Sequence, residues 1–114
     1  MTQHSGLTVE RWRDFSEAQR ILMIGNEMNR AGRLMGAADH ASRQLAYERV
    51  LRLVDLTVAV AGRRASRREL LRWRDLVAEL YLDETPQPER HRAAFRTLLR
   101  HTPASAAQVA ALGL

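Results

Sequence analysis

The chain contains no cysteine, no lysine, few aromatic residues and no long apolar run. Without cysteine there are no disulfides, no thiolate metal sites and no thiol redox chemistry. Without lysine a Walker phosphate-binding loop cannot be built, and no GxGxxG segment is present either. The four histidines, His4, His40, His91 and His101, form no HExxH and no Glu-x-x-His pair, so neither metal nor cofactor is expected. No serine sits in a nucleophile-elbow sequence. No apolar stretch approaches the ~20 residues of a membrane span. The start, MTQHSGLTVERWRDF, shows no basic region followed by an apolar core. The expectation is a cytoplasmic protein that does not enter a membrane.

The 114 residues are 46% apolar, enough for one domain with a real core. All eighteen basic residues are arginine, and they leave a net charge of +5. Such a balance favours anionic partners, RNA or acidic proteins among them. The Arg- and Ala-rich composition also reads as a GC-rich coding bias, which weakens any argument that a given arginine was selected over lysine.

Hydrophobic periodicity predicts an all-α protein, a small helical bundle with long helices at about 16–36, 40–61 and 67–82 and a shorter one at about 86–101. The second of these is the organising element. Between Leu45 and Ala61, twelve of seventeen residues are apolar, and a helix apolar over so much of its surface must be covered from several sides. Asp39 is a suitable N-cap for it and Gly62 a suitable stop.

Ser16 and Gln19 spell a capping box for the first helix. Along that helix Ala18, Ile21, Gly25, Met28, Gly32 and Met35 alternate small and large at heptad spacing, a pattern that lets a neighbouring backbone approach closely. Ser66 and Glu69 spell a second capping box for the third helix, whose buried stripe is Leu70, Trp73, Val77, Leu80 and Tyr81. The segment DETPQP at 83–88 is the one clear linker, and Thr85-Pro86 predicts the start of the fourth helix. Trp12 and Phe15 are expected to plug one end of the bundle. The domain is read as residues 1–101, with a loose arm over 1–10 and a weakly helical or flexible tail over 102–114.

Two mixed stripes suggest a contact surface. Met23, Glu27, Arg30 and Leu34 interleave apolar residues with an ion pair on the first helix. On the second, Leu45 and Leu56 project from an arc holding Glu48, Arg49, Arg52 and Asp55, with Glu48–Arg52 and Arg52–Asp55 at ion-pair spacing. If the two helices fold back about Ala38, Glu27 falls near Arg49. These ten residues predict a non-enzymatic interaction module whose partner is a protein, a second copy of the chain first among them.

A second reading is nucleic-acid binding. Arg63, Arg64, Arg67 and Arg68 cluster in GRRASRRE, while Arg92, Arg96 and Arg100 line up at i+4 spacing as a ridge able to track phosphates. A third rests on Arg96-Thr97-Leu98-Leu99-Arg100-His101, which resembles the Arg-x4-6-His motif of HEPN-type ribonuclease bundles. That resemblance implies proton transfer by His101 and a phosphate held by Arg96. With eighteen arginines in the chain, chance alone supplies such a match, so this reading ranks last.

At a coarser level, Ile21-Leu22, Ile24-Gly25, Glu27, Arg30-Ala31, then Tyr47-Glu48-Arg49, Leu51, Leu53 and Asp55-Leu56-Thr57 resemble short uncharacterised bacterial helical proteins over residues 12–82. The resemblance implies one polar site of Glu27, Arg30, Glu48, Arg49 and Asp55, and no activity.

Overall fold

Local capping signals set where some of the helices begin. In the computed structural model, residues 7–114 are described; part of the expected N-terminal arm, residues 1–6, lies outside them. Among the described residues the structure is all-α, with no strand. The helices are α1 (Val9–Arg13), α2 (Glu17–Gly32), α3 (His40–Val60), α4 (Arg64–Leu82), α5 (Pro88–Leu99), α6 (Pro103–Ala106) and α7 (Gln108–Ala111), with a 3-10 turn at Ala37–Asp39 before α3. Among the described residues, no helix is long and apolar enough to cross a membrane. The radius of gyration, 13.5 Å, is close to the ~13 Å of a well-packed domain of this length.

The Ser16 capping box forms as read: the Ser16 hydroxyl accepts from the Gln19 amide, and the Gln19 side chain accepts from the Ser16 amide. Other details differ from the sequence expectation. α2 ends at Gly32 rather than near residue 36. Asp39 stands at the N-cap position of α3 but makes no side-chain cap; its carboxylate turns back to accept from the Gly36 amide at 3.1 Å. Ser66 does not cap α4, which starts at Arg64, because the Ser66 hydroxyl is buried against His101 at 2.8 Å. The basic stretch is therefore the first turn of a helix rather than a loop. At the linker, Pro88 rather than Pro86 occupies the opening turn of the next helix.

α3 lies against α1, α2 and α4, while α5 closes over α2 and α4. Trp12, Ile21, Ile24, Met28, Tyr47, Val50, Leu53, Val54, Leu70, Trp73, Val77, Leu80, Phe95, Leu98 and Leu99 form the shared core. The small-large pattern of α2 serves α5. A Cβ on Gly25 would stand 3.4 Å from both Leu99 Cδ2 and Phe95 Cε1, and one on Gly32 would stand 3.2 Å from His91 Nε2. The rings of Trp12 and Phe15 meet edge to face at 5.6 Å, and Trp12 is fully buried.

Polar groups inside this core are all matched; among the described residues no buried side-chain nitrogen or oxygen lacks a hydrogen-bond partner. The Trp12 indole N–H donates to Thr57 Oγ1 at 2.9 Å, and that hydroxyl donates to the Leu53 carbonyl at 2.7 Å. Trp73, read as part of the buried stripe, donates its buried indole N–H to the Ala94 carbonyl at 2.8 Å.

Candidate functional site

Three groups of side chains carry chemistry: a buried polar network, the arc of α3, and the two ends of the α4–α5 pair. The first was not anticipated from the sequence. Arg43 is 2% exposed and donates to the carbonyls of Leu34 (2.9 Å), Gly36 (3.4 Å) and Glu84 (3.0 Å), with His40 Nδ1 at 3.1 Å. Its charge sits where the carbonyl end of α2 points, the favourable end of the helix dipole for a cation. One turn on, Tyr47 and His91 meet at 2.7 Å between Oη and Nδ1, and His91 Nε2 lies 2.8 Å from the Met28 carbonyl. A carbonyl only accepts, so Nε2 carries the proton and Nδ1 accepts from the Tyr47 hydroxyl. Burial lowers the His91 pKa and raises that of Tyr47 well above its ordinary value, so both stay neutral.

A signal for both residues existed. Arg43 precedes Tyr47 by four positions, on the phase of the buried stripe Tyr47, Val50, Val54 and Thr57. His91 likewise leads Phe95 by four and Leu98 by seven along the apolar edge of α5.

The two mixed stripes of the sequence meet in part. Glu27 is buried and accepts from Arg49 Nε at 2.9 Å, with Arg30 at 4.0 Å, so the fold-back about Ala38 brings the acid to its cross-helix partner. This pair lies inside the α2–α3 contact. Met23 is half-buried against the core and Leu34 is half-buried.

The remaining members of the α3 arc face outward, with pairings unlike those expected. Asp55 binds Arg74 of α4 through Nε at 2.7 Å and Nη2 at 3.3 Å, rather than Arg52. This fork raises the Arg74 pKa. Glu48 accepts from the Tyr81 hydroxyl at 3.2 Å, which raises the tyrosine pKa, while Arg52 reaches the Leu7 carbonyl at 3.4 Å. Interhelical partners win here because α4 and the N-terminal segment lie alongside the arc. Between them runs a groove of about 520 Å³, lined by Val9, Leu51, Leu56, Ala59 and Tyr81 with Glu48, Arg52 and Asp55. Leu56 packs at its margin; Leu45 is 52% exposed.

Of the arginines proposed for phosphate contact, the side chains of Arg63, Arg64, Arg68, Arg96 and Arg100 make no hydrogen bond or ion pair among the described residues. Arg67 donates to the Ala61 carbonyl at 3.0 Å. Arg92 is engaged by the Gly113 carbonyl at 2.7 Å and by Glu89 at 3.7 Å.

His101 ties three elements together. Nε2 lies 2.8 Å from Ser66 Oγ and 3.8 Å from Glu17 Oε1, and Nδ1 lies 3.5 Å from Glu69 Oε2. Arg96 is half-buried. No group of three or more potential metal ligands is present among the described residues. In comparisons with protein-family models, curated proteins and solved structures, nothing matches the chain.

Proposed function

We propose that the chain is a non-enzymatic helical interaction module that pairs with a second copy of itself through the outward arc of α3. The groove over Leu51 and Leu56 is the observation that carries this reading. Its apolar wall is continued by exposed Leu45, about three turns before Leu56 on the same face of α3. Its rim carries both signs of charge, Arg52 among Glu48 and Asp55. A two-fold interface sets one patch against its own copy, and a mixed rim is self-complementary under that operation because Arg52 of one copy can meet Glu48 of the other. Leu45→Glu with Leu56→Glu is expected to convert a dimer to monomer by light scattering while helical circular dichroism is kept. A wild-type chain that stays monomeric at high micromolar concentration sinks the reading.

A second reading is supported by the guanidinia at Arg63, Arg64, Arg68, Arg96 and Arg100, which have no partner among the described residues and form a reserve of charge for phosphates. RNA binding through them would weaken steeply with salt. Absence of any mobility shift at low ionic strength removes it.

A further inference from the structure

The groove between α4 and α5 differs in character from the one over α3. It has a volume of about 450 Å³ and an apolar floor of Leu70, Trp73, Leu76 and Leu98. Trp73 offers that floor its ring alone, since its N–H is committed to the Ala94 carbonyl. Leu76 is 43% exposed at the mouth. The rim carries Arg72 and Arg100, and neither guanidinium has a hydrogen bond or carboxylate partner among the described residues. The acid on the same rim, Glu69, lies 3.5 Å from His101 and pairs with neither arginine.

We propose that this groove binds a small anionic amphiphile, a single alkyl chain ending in a carboxylate. The chain lies on the leucines and Trp73, and the carboxylate takes charge-assisted bonds from Arg72 and Arg100. The volume accommodates this occupant, since ~300–1,000 Å³ is the size of a small-molecule pocket. Charge complementarity selects the head group: at the rim the two arginines outnumber the single carboxylate of Glu69, and their donors suit an anion. This site lies apart from the α3 arc, so its fate and that of self-association are read separately.

The test is calorimetric titration of the full-length protein with sodium decanoate below its micelle concentration, with tryptophan emission followed in parallel. One-to-one saturable binding with a change in emission is expected. Arg72→Ala and Arg100→Ala, both at exposed positions, should each weaken it about tenfold. Leu76→Glu should abolish it with the circular dichroism spectrum unchanged, and 1-decanol should bind more weakly than decanoate. The proposal is overturned by absence of saturable binding, by equal affinity for decanol, or by arginine variants that bind like the wild type. Binding of an acidic amphipathic peptide by a protein that ignores decanoate would overturn it in favour of a protein ligand.

Discussion

Two buried residues show how a polar interior is stabilised in this fold. His91 is held neutral by burial, with each ring nitrogen matched to one partner of the right polarity. Its pKa is lower in the folded chain than the ~6.5 of an exposed histidine. Above that value both states are neutral and the full stability is present. As pH falls below it, the unfolded chain takes up a proton that the folded chain refuses, and stability is lost. We expect a contribution of up to ~1.4 kcal/mol per pH unit over the window between the two pKa values. Urea unfolding of wild type and His91→Gln across pH 5–8 checks this: the difference in slope should appear only on the acidic side. A parallel pair of curves would contradict the assignment. Sequence reading missed this residue because an isolated histidine on an apolar edge carries no partner information. Tyr47 is 44 positions away, and Met28 contributes a backbone carbonyl, which no side-chain pattern can advertise.

At the scale of elements, spacing was most informative where the interaction is local. The Ser16–Gln19 box spans one turn and forms as written, whereas the Ser66–Glu69 spacing was equally good and fails. Its hydroxyl is claimed by His101, 35 residues away. The small-large rhythm of α2 announced a close approach without naming the neighbour. That neighbour is α5, and the two glycines it covers differ in tolerance. Alanine gains about 1 kcal/mol of helix propensity over glycine inside a helix. At Gly25 the new methyl meets the ends of Leu99 and Phe95 at 3.4 Å, an ordinary contact. At Gly32 it meets an imidazole at 3.2 Å that two hydrogen bonds hold in place. Gly25→Ala is therefore expected to be neutral or stabilising by up to about 1 kcal/mol, and Gly32→Ala to be destabilising by about 1–3 kcal/mol. Denaturant midpoints of the two variants provide the comparison, and a Gly32→Ala midpoint above wild type would contradict the packing argument.

For the whole molecule, the all-α class was legible because twelve apolar residues in seventeen leave α3 no other stable setting than the middle of other helices. Apart from the Glu27–Arg49 pair, what each charged residue does was not legible. Asp55 and Glu48 had equally good partners one turn away on α3, yet they pair with α4 because that helix lies beside them. The surface left after these pairings is smaller than the ten residues first singled out, since Glu27 and Arg49 are spent between α2 and α3. If copies pair through the remaining arc, the folded state is favoured by mass action, and the melting temperature should rise with protein concentration. Scanning calorimetry over a wide concentration range reads this directly, and a constant melting temperature would argue for a monomer.

Arg43 gives that whole a kinetic character. Its guanidinium is satisfied by carbonyls from the α2–α3 connection and by one from the α4–α5 linker, 41 residues downstream. An α2–α3 hairpin formed alone would have to desolvate this cation before its last acceptor arrived. The hairpin is thereby discouraged from accumulating as a free-standing intermediate. Opening the α4–α5 linker, in turn, strands a charge in the middle of the packed helices. A single side chain thus couples local fluctuation at a proline-flanked turn to the integrity of the core, which favours folding and unfolding as one cooperative unit.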